Sequence, residues 1–191
     1  MPSHLRQARP SSDAKRSLWT AQLADFALES GLGGLVLRSA ADRLGTSDRM
    51  LLYHFKTKSD LVAAVLDNIS ERQIALLGAP DPVERLAPGV LLSRAWRVVR
   101  DVRFVPFMRI WTEATVRGTR GEEPYRELAR RTTGRWLTWI ESRLDLPPGA
   151  PRREAAAAIL ALLEGATLLE MSQPGSATGI ERLMAAALDG A

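Results

Sequence analysis

The chain contains no cysteine and only two histidines, His4 and His54. The first absence excludes disulfides, thiolate metal sites and a cysteine nucleophile. The second leaves no histidine cluster for a metal. Lysine is nearly as scarce: Lys15, Lys56 and Lys58 are its only examples, and the remaining cations are arginine. Alternating apolar and polar runs that would mark strands are lacking. No stretch reads as long and apolar enough to span a membrane, because the best candidate, Ala155–Leu169, is interrupted by Glu164 and Gly165. The opening "MPSHLRQARPSSDAKR" is polar, without the apolar segment of a signal peptide. These absences lead us to expect a cytoplasmic protein with no membrane partner. Gly-x-Ser-x-Gly, phosphate-loop, dinucleotide and His-Glu-x-x-His motifs are also missing, so we expect no catalytic residue, no cofactor, no metal and no enzyme.

What is present is enough to build a core: 46% of the 191 residues are hydrophobic and 25% charged. The net charge of +4 is unevenly spread. Residues 1–60 carry nine Lys/Arg against six Asp/Glu, whereas residues 61–191 carry 17 against 16. An excess of cations in the first third suits a polyanion partner there, although such an excess is also common on ordinary surfaces.

Helical periodicity runs through the whole chain, and the expected fold class is all-α. A first helix should start near Ser12 as N-cap, with Trp19, Leu23 and Phe26 on one stripe, and end at the glycines Gly31, Gly33 and Gly34. A second, with Leu37, Ala40, Ala41 and Leu44 on one face, should stop at Gly45. Ser47 can cap a third, very short helix around Met50 and Leu51. Thr57 and Asp60 form a capping-box pattern opening a fourth, from Lys58 to about Leu77. "GAPDPVERLAPG" (Gly78–Gly89) breaks the pattern. Further helices are expected near Pro88–Arg100, Val105–Arg117, Glu123–Leu144, Arg152–Ser172 and Ala177–Leu188. Two short helices joined at a glycine describe a helix-turn-helix. This divides the chain into residues 1–56, a three-helix helix-turn-helix domain, and residues 57–191, a helical domain whose first helix, 57–77, connects the two.

The stretch Leu37–Leu66, "LRSAADRLGTSDRMLLYHFKTKSDLVAAVL", resembles the DNA-binding motif of TetR/AcrR-type transcriptional regulators. Gly45, Ser47, Leu51, Tyr53, His54, Phe55, Lys58 and Leu61 carry the resemblance. Arg49 stands where the family usually has glycine, and Leu52 where it has tyrosine. The resemblance implies a homodimer that binds a pseudo-palindromic double-stranded DNA operator with half-sites about one helical turn apart. It implies that Arg38 reaches phosphate or guanine, and that Arg49 and Met50 face the major groove. Asp48 would either accept from cytosine or only favour the helix dipole. Ser47, Tyr53, His54 and Lys58 would contact phosphate. Arg6, Arg9, Lys15 and Arg16 could add a basic arm. Three of these residues also have structural readings: Tyr53 as a ring packed on the first helix, His54 as a satisfied structural histidine, and Arg49 as a solvated surface residue.

The resemblance also implies that the C-terminal helices enclose a site for a small-molecule effector and form a dimer interface. Trp96, Phe104, Met108, Trp111, Trp136 and Trp139 are candidate pocket walls, suited to an apolar ligand, or else plain core. Glu164 would bind a ligand polar group, pair with an arginine across the dimer, or reach solvent. Arg152–Ser172 is apolar all round, so it should be buried all round, one side by a second subunit. Leu160, Leu163, Leu168 and Met171, with Leu183 and Met184 on the last helix, are the expected interface. The implied function is a ligand-responsive transcriptional regulator, a repressor released by its effector. The alternative is a ligand-independent DNA-binding or protein-interaction dimer without a pocket.

Overall fold

A computed structural model describes residues 11–77, 84–179, 182–183 and 186–187. Eight α-helices are found among these residues: α1 (Ser12–Ser30), α2 (Leu37–Arg43), α3 (Asp48–Phe55), α4 (Lys58–Leu77), α5 (Pro88–Val99), α6 (Val105–Thr119), α7 (Tyr125–Arg143) and α8 (Arg152–Ser172). The only extended pairing among them is one isolated bridge, Leu86 to Leu144. The all-α expectation holds. The chain divides into two compact units, residues 1–69 and 70–191, so α4 belongs to both.

In the first unit local chemistry sets the helix ends. Ser11, one residue earlier than expected, caps α1: its Oγ accepts from the Ala14 N–H at 3.2 Å. Gly31 ends α1 at φ 82°, a conformation open to glycine. A 3₁₀ turn at Leu32–Gly34 leads to α2. Gly45, at φ 60°, reverses the chain between α2 and α3. Ser47 caps α3, its Oγ accepting from the Met50 N–H at 3.3 Å, a contribution of about 1 kcal/mol. Thr57 caps α4 by accepting from the Asp60 N–H at 3.0 Å. The reciprocal half of the capping box is different: Asp60 takes the Thr57 hydroxyl proton at 2.7 Å. The core is Trp19, Leu23, Ala24 and Ala27 of α1, Ala40 and Ala41 of α2, Leu51 and Phe55 of α3, and Leu61, Val62, Val65, Leu66 and Ile69 of α4. The two alanines are almost wholly buried. Phe26 is only half-buried, under the guanidinium of Arg43.

In the second unit α6 packs on α7, α7 on α8, and α8 on α5. Their shared core contains Leu91, Leu92, Trp96, Phe104, Met108, Trp136, Ile140, Ile159, Leu160 and Leu163. Gly118 lets the end of α6 approach the start of α7, since a Cβ there would meet the Arg126 Cα at 3.0 Å. Arg152 donates to the Leu144 and Leu146 carbonyls, tying the start of α8 to the end of α7.

Two expectations change. The helix α8 is, by length and composition, long and apolar enough to cross a membrane; Glu164 and Gly165 do not interrupt it. It serves as a core helix, with Ala156, Ile159, Leu160, Leu163, Ala166 and Thr167 buried on one face. The helix is also not buried all round: Ala157, Ala158, Ala161, Gly165, Leu168 and Leu169 lie exposed on the opposite face. The expected last helix, Ala177–Leu188, starts in turns at 174–179. Residues 182–183 and 186–187 are helical, and Ile180, Met184 and Leu188 lie outside the described residues, as do His4, Arg6 and Arg9.

Candidate nucleic-acid interface and effector groove

The helix α3 has eight residues, too few to hold together in water on burial-free propensity. Leu51 and Phe55, one turn apart and almost wholly buried, pin it to the first unit. That leaves its other face to solvent. Tyr53 is 73% exposed, so its ring does not pack on α1. It stands edge-on to His54, with ring centroids 5.1 Å apart. His54 is held more tightly: its ring is edge-on to Trp19 at 5.0 Å and its Nδ1 lies 3.2 Å from Ser12 Oγ. The structural role proposed for His54 therefore has partners in α1, and Ser12 is one of them.

Arg49, Met50 and Lys58 are exposed and Asp48 half-exposed. Arg38, at the start of α2, extends into solvent and pairs with Asp42 at 3.4 Å. Lys15 lies over the Trp19 ring and Arg16 over Phe55, so both basic stems of α1 cover the unit's aromatic core.

Sequence reading gave no role to Lys56. It caps the C-terminus of α3 with φ 66° and ψ −59°, and the Thr57 N–H donates to the Phe55 carbonyl at 2.8 Å. This is a γ-turn of the rare, strained hand, on a residue with a Cβ. The turn sets Lys56 and Lys58 on either side of the α3–α4 junction. No carboxylate among the described residues pairs with Arg49, Lys56 or Lys58. The only signal available was the lysine pair itself, in a chain that otherwise uses arginine.

The second unit holds a groove of about 840 Å³ between the end of α4 and α7. Ser70, Gln73, Ile74 and Leu77 form one wall. Trp136 and Trp139, edge-on at 5.8 Å, stand on the other among several arginines. Of the seven residues expected to wall a pocket, these two tryptophans line this groove. Phe104 and Met108 instead fill the core, Phe104 edge-on to Trp136 at 5.9 Å. Trp96 is buried in the core and edges a smaller depression with Arg97 and Arg100. Trp111 and Glu164 meet each other, away from the groove: Trp111 donates to the carboxylate. Burial pushes the Glu164 carboxyl above its ordinary value, and the Trp111 bond offsets part of that.

The groove's polar groups were not foreseen. Arg135 Nη1 donates to Ser70 Oγ at 2.6 Å. Arg143 lies 4.2 Å over the Trp139 ring and donates to the Trp139 carbonyl and to Ser142 Oγ, both at 3.2 Å. Burial holds its guanidinium below its ordinary pKa. Gln73 is 5% exposed and its Nε2 has no partner; the Trp139 Nε1 is likewise buried and unpaired. The signal that would have found this site is the spacing Arg131, Arg135, Trp139, Arg143, which repeats every four residues along α7.

Of the expected interface residues, Leu160 and Leu163 point into the chain's own core, whereas Leu168 (56% exposed), Met171 and Leu183 face outward. No group of three or more potential metal ligands occurs among the described residues.

No protein-family model and no curated protein matches the chain. Solved structures do. A transcriptional regulator from Rhodococcus sp. Rha1 superposes with a TM-score of 0.71 at 24% identity, over 94% of this chain and 96% of that one. A TetR-family transcriptional regulator from Cytophaga hutchinsonii gives 0.73 at 15% identity, over 96% and 98%. The multidrug binding protein EbrR, complexed with imidazole, gives 0.66 at 19% identity, over 98% and 97%. At these identities the likeness speaks to architecture, and the architecture it establishes for this chain is that of the TetR-family transcriptional regulators.

Proposed function

We propose that the chain is a homodimeric, ligand-responsive, DNA-binding transcriptional regulator that acts as a repressor. The observation that carries the reading is the outward face of α3. A helix too short to stand alone is anchored by Leu51 and Phe55, and what it exposes is Arg49, Met50 and Tyr53 beside two unpaired lysines. Packing gains nothing from that arrangement, and a duplex offers phosphates for the cations and base edges for Arg49. Ser47, with its hydroxyl on its own helix, acts chiefly by orienting α3. His54 acts by holding Tyr53, and Arg38 by reaching the backbone beside α2.

The exposed apolar face of α8 favours a second copy of the chain: Leu168, Leu169 and the small residues Ala157, Ala161 and Gly165 would let two helices approach closely. Met171 and Leu183 would extend that surface. The groove on α7 favours an effector over the pocketless alternative. Its α4 wall belongs to the helix that also carries Lys58, so a ligand changes DNA binding if it binds two positions of α4 unequally. A cytoplasmic location follows from this function.

Selection of binding sites from random duplex DNA should enrich an inverted repeat, and sedimentation should give a dimer. Arg49→Ala should relax preference at one position of each half-site, by about 1–3 kcal/mol. Lys58→Ala should weaken every sequence alike. Failure to enrich any motif would remove the DNA-binding reading, and a monomer at micromolar concentration the dimer.

A further inference from the structure

The α7 groove has a chemistry more specific than an apolar pocket. Its charged groups are all cations, and two of its N–H donors lack acceptors. Gln73 Nε2 and Trp139 Nε1 are buried without acceptors. A buried donor without an acceptor is unfavourable, and a ligand acceptor would relieve it. Arg135 and Arg143 meet only neutral oxygens, those of Ser70, Ser142 and the Trp139 carbonyl. The neighbouring Arg130, Arg131 and Arg153 differ, since Glu127 and Glu141 pair with them. No Asp or Glu lines the groove. The positive charge facing the cavity therefore has no counter-charge from the described residues.

The apolar part of the lining is the edge-on pair Trp136 and Trp139, with Ile74 and Leu77 from α4. A planar body fits such a wall. At about 840 Å³ the space matches a small-molecule site and not a macromolecular surface.

From this arrangement we infer that the groove binds an aryl monocarboxylate: a flat apolar body against Trp136 and Trp139, with its carboxylate on Arg135, Arg143 and the free N–H groups of Gln73 and Trp139. A cation is excluded by the surplus of guanidinium groups. A neutral aromatic would leave those groups unmatched. Guanidinium presents paired N–H groups that suit the two oxygens of a carboxylate, which gives acid over amide its preference. The inference deepens the ligand-responsive reading, yet it is measured without DNA, so the failure of either can be told from the failure of the other.

The test titrates the full-length chain with 2-naphthoate, its neutral analogue 2-naphthamide and the cation 2-naphthylmethylammonium, following tryptophan fluorescence and calorimetry. Naphthoate should bind saturably, the amide about tenfold or more weaker, and the cation not at all. Arg135→Gln, on an exposed side chain, should lower naphthoate affinity about tenfold and leave the amide affinity within about twofold. Arg143→Gln should act in the same direction. A merely damaged fold would lose acid and amide together, so the ratio of the two isolates the charge. Gln73→Leu should weaken the acid further. Equal binding of acid and amide, a naphthoate affinity indifferent to both arginine variants, or no saturable binding of benzoate, 2-naphthoate or indole-3-acetate up to about 10 mM would each overturn the proposal.

Discussion

Arginine and lysine are set in two opposite surroundings in this molecule. Around α3, Arg49, Lys56 and Lys58 are exposed to solvent. Around α7, Arg143 sits partly buried over the Trp139 ring, and Arg135 is tied to Ser70 by a part-buried hydrogen bond. The same charge suits different partners in two such surroundings. Exposed cations act at a distance, are screened by salt and suit an extended polyanion. Desolvated cations act at contact, resist screening and suit one small anion whose hydration shell they replace. Salt should separate the two most strongly. Between about 50 and 200 mM salt, DNA affinity should fall by a factor on the order of 10³ if α3 and its neighbours make six or more phosphate contacts. Naphthoate affinity over the same range should change by only about twofold. Parallel titrations check this; equal slopes would erase the distinction.

The next largest effect removes the platform under one site only. Phe55 is 1% exposed and anchors α3. Phe55→Ala should destabilise the first unit by about 3–5 kcal/mol. DNA binding should then be lost while naphthoate still binds, with two separate melting transitions by calorimetry. A single transition that abolishes both activities would show that the units do not unfold independently.

These two regions also differed in how far their sequence could be read. Around α3 the informative residues are neighbours in the chain. Ser47, Thr57 and Gly45 act on backbone groups within a few positions, so spacing alone located the caps and turns, with α1 starting one residue early at Ser11. The groove draws Gln73 from α4 and Arg135 from α7, which meet only after folding. Periodicity placed Phe104, Met108, Trp136 and Trp139 on inward faces, and cannot tell a core from the wall of a cavity. Nothing in the sequence separates Arg135 and Arg143 from Arg130 and Arg131, and only the fold shows which arginines Glu127 and Glu141 reach. In α8 the apolar pattern was legible on both faces, but which face meets the chain's own core was not: Leu160 and Leu163 turn inward, Leu168 outward. The strain at Lys56 has no sequence signature, because any residue but glycine would be unexpected there.

The contrast between dry and solvated charge recurs in the carboxylates of α8. Burial raises the Glu164 pKa, whereas Glu170, half-exposed, has its pKa lowered by the Gly175 and Ala177 N–H groups, at 3.0 and 3.2 Å. The signs are opposite. Glu164 is favoured protonated in the fold, so its contribution is greatest below the ordinary carboxylate value and is lost as pH rises through the raised one. Glu170 is favoured ionised, so its contribution is present above the ordinary value and is lost as pH falls through the lowered one. Thermal melting across the carboxylate range should show Glu164→Gln gaining on the parent chain as pH rises. Glu170→Gln should lose ground over the same range. Matching pH profiles for the two variants would contradict the assignment.

The smallest effect sharpens the comparison most, because it sets stability against binding at one residue. Lys56 adopts φ 66° and ψ −59° without the freedom of glycine. Such strain costs on the order of 1–3 kcal/mol. Glycine would remove it, but would also add backbone freedom to the unfolded chain, worth about 0.5–1 kcal/mol in the other direction. Lys56→Gly should therefore stabilise the first unit modestly, by up to about 1 kcal/mol. It should at the same time weaken DNA binding at all sequences and flatten the salt slope by about one phosphate contact. The α7 groove, which shares no residue with this turn, should bind naphthoate as before. Lys56→Ala separates the two contributions, since it loses the charge and keeps the strain. If Lys56→Gly destabilised the fold and left the salt slope intact, the turn would be an ordinary connection, and the lysine there would have no part in meeting DNA.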